Sequence, residues 1–454
     1  MDTPKLFPYQ QTGSDWLAAR KYALLADEMG LGKTPQAISA AWKSHAQKIL
    51  VICPANLRVN WEREVRVWSG YTPKAILNKK DYETPAHVKI VSFDFATAHT
   101  KLLCSEKWDL VIVDEVHFIK TTEAKRSEAI YGKNGIIRHT EKFWAISGTP
   151  APKHAGELWI LLYTLGLTTL SYQKFVARYC TFYMYQGKMQ ITGTRELAIP
   201  ELNDLMRPLV LRRKVNEVLK DLPPVHFSDL IVEPDFQSLD LEGSVSFSQY
   251  MFSDTKKQEL QNKIALEREL LASVMNAVKP NEDVMTILQS MAKSNSTLRR
   301  YNGLLKIEPV AQIVEQELEA GAYNKIILFC IHRDVVEGLR IRLSRFGAVT
   351  VYGGTDPKKV QKRVDAFQRD PKTQIFIGNM GSAGTGLTLT AANQVMIVED
   401  DYNPSTVMQA WKRAHRIGQT RPVFVRCVGL NDPLDIQITA TSRRRASELA
   451  QFFL

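Results

Sequence analysis

Cysteine is scarce in this sequence, with five in 454 residues, standing singly at Cys53, Cys104, Cys180, Cys330 and Cys427. No CxxC pair occurs, and none of the five has metal-ligand spacing to any of the nine histidines. A disulfide framework and a zinc module are therefore excluded as the basis of the fold, and a reducing compartment fits. Long apolar runs are missing too. The longest, from about Leu158 to Leu167, falls well short of the roughly 18 residues that suggest a membrane span. The N-terminus lacks the basic-then-apolar pattern of a secretory signal. No repeat and no low-complexity stretch is evident, and a protein without a membrane partner is expected, cytoplasmic in a bacterial or phage-infected cell and nuclear in a eukaryotic one.

What the chain has is length and positive charge. A chain of 454 residues is too long for one ordinary core and comfortable for two domains with insertions. At 44% hydrophobic and 24% charged it reads as globular. Lysine and arginine outnumber acidic residues 59 to 48, a net charge of +11, which favours a polyanionic partner through counterion release. Charge alone does not separate that reading from a merely basic surface.

Short apolar runs rich in β-branched residues recur between helical patterns at Lys48 to Cys53, Val88 to Phe93, Leu110 to Val113 and Phe143 to Ile146. They return at Lys325 to Cys330, Ala348 to Tyr352, Gln374 to Ile377 and Gln394 to Val398. Strands alternating with helices imply parallel sheets, and the gap between the two sets implies two of them. From Gly156 to about Pro224 the pattern reads as helical with aromatics. Lys256 to Tyr301 is charged and almost free of glycine and proline. Helical insertions between two α/β domains are expected.

The strongest local signal is Asp27-Glu-Met-Gly-Leu-Gly-Lys-Thr34, which follows the apolar stretch Tyr22 to Ala26 and precedes a helical pattern from Pro35 to Trp42. In a phosphate loop, Gly30 and Gly32 let backbone N–H groups approach phosphate oxygens, Lys33 reaches the β and γ phosphates, and Thr34 ligates magnesium. Asp27 stands where the generic pattern has its first glycine. The complementary element is Leu110-Val-Ile-Val-Asp-Glu-Val-His117, an apolar strand that delivers two carboxylates at its C-terminal edge. A hydrolytic NTPase needs both: Asp114 to hold magnesium through water and Glu115 to polarise the attacking water. His117 is then placed to sense the nucleotide. An isolated Asp-Glu-x-His is more often a solvated turn, but this one ends a strand of the buried type.

A third element, Gln409-Ala-Trp-Lys-Arg-Ala-His-Arg-Ile-Gly-Gln419, places Arg413 and Arg416 on one face if it is helical. Both guanidinium groups then have the reach to serve a phosphate site supplied by another domain, as arginine fingers do. Taken alone, the pair reads equally well as a basic surface helix.

Together these elements resemble the Swi/Snf-like branch of helicase superfamily 2, the double-stranded DNA translocases that include chromatin remodellers and annealing helicases. The matches follow the family's order over nearly the whole chain. Phe7-Pro-Tyr-Gln10 followed by Trp16 is similar to the adenine-recognition entry motif, which implies that Gln10 reads the base. The Asp27 form of the phosphate loop is characteristic of this branch. Cys53-Pro-Ala-Asn-Leu57 with Trp61 and Glu64 resembles motif Ia, Val91-Ser-Phe-Asp94 motif Ib, and Ser147-Gly-Thr-Pro150 motif III. Leu211-Arg-Arg-Lys214 with Leu222-Pro223 resembles the segment that closes the first lobe's insertion. Phe329 to Asp334 resembles motif IV, and Tyr352-Gly-Gly-Thr355 with Arg363 and Phe367 the next strand-contact motif. Gly384-Thr-Gly-Leu-Thr388 resembles motif V, and Asn403-Pro404 with Gln409 to Gln419 motif VI.

The resemblance implies an α/β fold of two RecA-like parallel-sheet lobes with helical insertions. The first lobe is expected over 1–155, insertions and connection over 156–308, the second lobe over 309–432 and a helical segment over 433–454. It implies ATP and Mg2+ as cofactors, with Gly386 added to the nucleotide-binding set. Asn56, Ser92, Thr149, Arg333, Thr355 and Thr385 become candidate nucleic-acid contacts. Gly303-Leu-Leu-Lys306 and Gly386-Leu-Thr-Leu-Thr390 with Glu399 are most similar to the annealing-helicase subgroup and its bacterial or phage relatives. Val116, Thr385 and Tyr402 depart from the common pattern without removing a catalytic group. A monomeric motor core on duplex or forked DNA is expected. The alternatives are a strand-separating DNA or RNA helicase and an inactive DNA-binding scaffold.

Overall fold

The computed structural model describes residues 4–120, 124–151, 154–185, 188–233, 296–383, 387–401 and 403–431, with isolated positions at 262, 266, 269 and 435. The chain divides at Asp221/Leu222 into two compact units, each built on its own sheet.

The first unit holds β1 (Tyr22–Leu25), β2 (Ile49–Cys53), β3 (Pro73–Ala75), β4 (Val88–Ser92), β5 (Trp108–Asp114), β6 (Thr140–Ile146), β7 (Cys180–Tyr185), β8 (Lys188–Thr194) and β9 (Val210–Leu211). Seven of them form one sheet in the order β3-β4-β2-β5-β6-β1-β9, every pair parallel. The apolar runs are continuous because both faces are covered. Successive residues alternate between two cores: Leu24, Leu50, Val111 and Phe143 enter one, and Leu25, Val51, Ile112 and Trp144 the other. Each of these eight side chains is 1% exposed or less.

The second unit holds β10 (Val225–Val232), β11 (Ile326–Cys330), β12 (Val349–Val351), β13 (Ile375–Asn379), β14 (Gln394–Ile397) and β15 (Val423–Leu430). Their order is β10-β15-β14-β11-β13-β12, again parallel throughout. Ile326, Leu328 and Cys330 point to the same core as Val310 and Val314 from the helix Ile307–Glu319 and Leu339 from the helix Arg333–Arg342.

All eight expected runs are strands. The expectation of a purely helical 156–224 is corrected. Helices Trp159–Thr164, Tyr172–Tyr179 and Ile199–Met206 are present, but so are the antiparallel hairpin β7–β8 and the strand β9. The hairpin forms where Cys180-Thr-Phe-Tyr-Met-Tyr185 concentrates residues that favour a pleated surface. Because β9 pairs with β1 and β10 with β15, the first unit runs past the expected end at 155, and the second begins before 309. Of the helix-forming stretch to Tyr301, the helix Ser296–Leu305 is described. The expected helical segment over 433–454 lies outside the described residues apart from Asp435. Among the described residues, no helix is long and apolar enough to cross a membrane.

Candidate active site

β1 delivers the phosphate loop at its C-terminal end. Gly30 (φ 92°) and Gly32 (φ 68°) both adopt left-handed backbone, which a residue with a Cβ reaches only with strain. Gly32 also has no room for one, since a Cβ there would lie 2.4 Å from Gln10 Nε2. The helix Lys33–Lys43 starts directly after it, two residues earlier than the sequence pattern indicates, with Gly32 as N-cap. Thr34 therefore lies in the first turn, where free N–H groups collect. Lys33 Nζ donates to the carbonyls of Asp27 (2.8 Å) and Glu28 (3.3 Å). The buried Gln10 accepts from Phe7 N at 3.0 Å and donates to Leu31 O at 3.1 Å, which fastens the entry motif to the loop.

Asp27, wholly buried, explains the departure from the generic loop. Arg213 donates to both of its carboxylate oxygens, to Gln36 Oε1 at 2.7 Å and to Tyr9 O. Gln36 Nε2 in turn donates to Asp27 Oδ2 at 3.1 Å. Glu28 N donates to Arg213 O at 3.0 Å, and Val215 N donates to Glu28 Oε2 at 2.7 Å. The segment after β9 thus clamps the first turn of the phosphate loop. Sequence reading singled out Leu211 to Lys214 by resemblance alone and assigned Arg213 no partner.

β5 ends at Asp114, which is 7% exposed. Trp61 Nε1 donates to Asp114 Oδ2 at 2.8 Å, and Glu115 N donates to Oδ1 at 3.0 Å. Burial first, and then the Glu115 carboxylate, push Asp114 up to about 6. The Trp61 indole, Lys33 and the Glu115 N–H hold it lower than burial alone would. Glu115 has left-handed backbone at φ 54°, a conformation that is costly for a residue with a long side chain and that concentrates at functional sites.

The first unit gathers the remaining motif residues here. His117 Nδ1 lies 3.0 Å from Ser147 Oγ and 3.3 Å from Glu115 Oε2. Ser147 Oγ donates to Glu115 Oε2 at 3.5 Å and accepts from Thr149 N at 3.1 Å. Gly148 passes so close to the loop that a Cβ on it would lie 3.2 Å from Lys33 Nζ and 2.6 Å from Met29 Cγ. Lys33, Asp114, Glu115, His117 and the start of motif III therefore share one site. Ser92 does not join it as a free contact group: it is buried, and its hydroxyl caps the helix Phe93–Ala98 by accepting from Phe95 N at 3.1 Å. Asn56 sits half-buried in the 3-10 turn Ala55–Leu57 after β2.

In the second unit, Arg333 is exposed after β11, with its guanidinium 4.5 Å from the Tyr352 ring centroid. Tyr352 and Thr355 close a turn after β12, Thr355 N donating to Tyr352 O at 3.1 Å. Glu399 Oε2 accepts from Ile331 N (2.8 Å) and His332 N (2.9 Å), and Oε1 lies 2.6 Å from His332 Nδ1. A Cβ on Gly303 would lie 2.3 Å from that Oε1, so these two markers of the annealing-helicase resemblance touch each other.

The arginine pair requires a correction. The helix Pro404–Trp411 ends before it, and Arg413 and Arg416 lie in the turns that follow, not on a common helix face. Gln419 fastens the turns that follow: its Nε2 donates to Thr390 O (3.3 Å), Ala392 O (2.9 Å) and Ala414 O (3.1 Å), which holds the segment against the chain before β14. Arg413 is buried, with Nε donating to Gln409 O at 3.0 Å, and Arg416 Nη1 donates to Leu387 O at 3.0 Å. Thr385 and Gly386 lie outside the described residues.

A family model of the SNF2-related domain matches residues 9–276, and one of the helicase conserved C-terminal domain matches residues 306–418. The SWI/SNF-related matrix-associated actin-dependent regulator of chromatin subfamily A-like protein 1 homolog of Caenorhabditis elegans is 28% identical over 93% of this chain and 58% of its own length. The human DNA annealing helicase and endonuclease ZRANB3 is 27% identical over 97% of this chain and 40% of its own length. The TATA-binding protein-associated factor mot1 of Schizosaccharomyces pombe is 26% identical over 92% of this chain and 25% of its own length. The chain thus spans between a quarter and about three fifths of the length of these relatives. A solved structure, the Sulfolobus solfataricus SWI2/SNF2 ATPase core in complex with dsDNA, aligns with 98% of this chain and 92% of that one, at 22% identity and a TM-score of 0.45.

Proposed function

Since the chain belongs to the SNF2-related family, we propose that it is an ATP-hydrolysing motor that tracks along duplex DNA. Its relatives include a protein named as an annealing helicase, and fork remodelling, strand annealing or displacement of bound proteins is the work proposed for this chain. The observation that carries the reading is the grouping of Lys33, Asp114, Glu115, Ser147 and Gly148 around one phosphate loop. A passive scaffold has no use for a buried carboxylate pushed up to about 6 beside a lysine.

In this reading Lys33 exchanges the carbonyls of Asp27 and Glu28 for β and γ phosphate oxygens. Gln10, oriented by Phe7 and Leu31, reads the adenine. Oxygen donors suit magnesium, and Thr34 and the buried Asp114 form a hard-ligand pair whose charge a divalent cation would compensate. The ion would neutralise charge developing on the transferred phosphoryl group. Glu115 orients and deprotonates the attacking water, and His117 and Ser147 report its state to Thr149 through the chain of contacts described above. Gly386 is proposed to complete the nucleotide-binding set, and Arg413 and Arg416 to stabilise the transition state. Asn56, Ser92, Thr149, Arg333, Thr355 and Thr385 are proposed along the DNA path, Ser92 through its backbone. A net charge of +11 supports a polyanionic track whose affinity falls steeply with salt. The protein is proposed to act as a monomer in the cytoplasm.

The test is the rate of ATP hydrolysis without nucleic acid and with single-stranded DNA, blunt duplex, forked DNA and RNA. Stimulation by duplex or forked DNA above RNA is the expected result. Stimulation by RNA alone makes the protein an RNA helicase, and no hydrolysis under any condition makes it a scaffold.

A further inference from the structure

Ribbon β7–β8 is unlike the rest of the first unit. It stands outside the seven-stranded sheet as a two-stranded antiparallel hairpin of its own. It also carries side chains that a soluble lobe does not ordinarily leave in water: Phe182 is 36%, Tyr183 48% and Met184 60% exposed. Register pairs Phe182 with Ile191, Tyr183 with Gln190 and Met184 with Met189. Phe182 and Met184 therefore share a face with their partners Ile191 and Met189, where Phe182 stays partly exposed, and Tyr183 lies on the other face. Met189 and Ile191 lean on the lobe's core and fix the ribbon along its second strand.

The base of the ribbon is held firmly. Tyr179 OH donates to Glu201 Oε1 at 2.6 Å, Arg195 N donates to Tyr179 O at 2.9 Å, and Arg195 Nη2 donates to Ala177 O at 3.0 Å. Thr194 Oγ1 accepts from Ala155 N at 2.8 Å, which ties the ribbon to the segment following Ser147-Gly-Thr-Pro150. The ribbon and the helix before it are basic in sequence, and at the ribbon base Glu201 pairs with Arg178 at 2.8 Å. From Thr168 to Arg195 there are four basic residues, Lys174, Arg178, Lys188 and Arg195, and no acidic one.

Exposed rings beside basic side chains are the chemistry that recognises unpaired nucleotides, because bases stack on aromatic faces while cations follow the phosphates. A duplex end offers no such bases until its strands part. We propose that the ribbon β7–β8 binds unpaired bases where the strands of forked DNA separate, with Tyr183 and the partly exposed Phe182 as stacking platforms and Lys174 toward the backbone. This deepens the motor reading and rests on it: it gives a duplex-tracking enzyme a preference for forks over uninterrupted duplex.

The experiment uses the full chain and its Phe182→Ala, Tyr183→Ala and Tyr183→Trp variants. Each is titrated by fluorescence anisotropy against a single-stranded oligonucleotide, a blunt duplex and a fork, with a parallel fork carrying 2-aminopurine at the junction. Each alanine variant should bind fork and single strand about tenfold or more weakly, since base stacking on one aromatic is worth at least that much. Binding to blunt duplex and duplex-stimulated hydrolysis should be unchanged, and Tyr183→Trp should retain wild-type fork affinity. Wild type should alter junction 2-aminopurine fluorescence, and Tyr183→Ala should not. Unchanged fork and single-strand binding in both alanine variants overturns the proposal and leaves the ribbon as a surface for a protein partner. An equal loss on blunt duplex overturns it as well, because the ribbon then reads no unpaired base. A wild-type enzyme that duplex DNA fails to stimulate contradicts the motor reading instead, independently of any difference among the three ligands.

Discussion

The indole N–H of Trp61 donates to Oδ2 of Asp114 at 2.8 Å. Trp61 is 1% exposed and sits on the helix Arg58–Trp68, directly after the Cys53 to Leu57 segment proposed to meet DNA. One side chain thus joins a strand-contact segment to the carboxylate proposed for magnesium. Trp61→Phe keeps a ring in the same space and deletes the donor. The magnesium concentration for half-maximal hydrolysis should rise several-fold, while magnesium-free nucleotide affinity stays put. Unfolding stability should fall by about 1–3 kcal/mol, the usual cost of a lost buried donor. A magnesium titration of hydrolysis, with nucleotide binding measured in EDTA, checks this; equal magnesium requirements would show the bond to be structural only.

Asp114 itself should be a burden on the unliganded protein. Its folded pKa is raised from 3.8 to about 6, chiefly by burial. The charged form is therefore harder to reach in the fold than in the unfolded chain. The resulting penalty is full above about pH 6 and fades as the pH falls towards 4. Asp114→Asn, which can still accept from Trp61, should unfold at a higher temperature than wild type at pH 7.5, by up to roughly 3 kcal/mol of stability. The two should converge near pH 4, and the variant should not hydrolyse ATP. Thermal unfolding at the two pH values, without nucleotide, is the measurement.

Arg213 is the counter-charge to an aspartate that solvent never reaches. Arg213→Ala strands Asp27 and should cost about 3–5 kcal/mol, the range for breaking a buried pair from one side. Arg213→Lys should recover only part of this, because a point charge cannot serve the Asp27 carboxylate, Gln36 and Tyr9 O together. The double variant Asp27→Asn/Arg213→Met should be more stable than Arg213→Ala alone, as urea unfolding of the three would reveal. Were Arg213→Ala as stable as wild type, the clamp would have no energetic weight.

Lys33 and Glu115 should fail in different ways. Lys33→Ala loses a charge aimed at phosphates and should bind ATP weakly with turnover abolished. Glu115→Gln keeps shape and hydrogen bonding and should bind ATP normally, yet turn over at least a hundredfold more slowly. Isothermal titration alongside single-turnover hydrolysis separates the two, and normal turnover in Glu115→Gln would remove Glu115 from the role of base.

The parts legible in sequence share a physical cause. Strands buried on both faces are apolar over most of their length, so β2 and β11 announce themselves as unbroken runs and β4, β5 and β13 as nearly unbroken ones. Edge strands need not be: β10 at the end of its sheet reads Val-His-Phe-Ser-Asp-Leu-Ile-Val, and β9 has two residues, too few for any period. The phosphate loop and the Asp114-Glu115 pair are contiguous and carry their chemistry locally. The Trp61–Asp114 bond, the Arg213 clamp and the Gln419 fold-back join residues far apart in the chain, so no local pattern encodes them. The turns that carry Arg413 and Arg416 are likewise held by the carbonyls of residues 390 and 392, which a helical period read locally does not contain.

β1, the strand that carries the phosphate loop, is flanked in its sheet by β6 and β9. Both neighbours are encoded far downstream, the second at Val210–Leu211, with Arg213 just beyond. On a ribosome adding about 5–20 residues per second, roughly 10 to 40 seconds separate the emergence of Leu25 from that of Leu211. Until both neighbours have emerged, β1 keeps at least one edge unpaired, and Asp27 lacks the guanidinium that matches it. The candidate phosphate loop is therefore translated early in this lobe yet cannot take its final place in the sheet until the segment at Val210–Leu211 has been made.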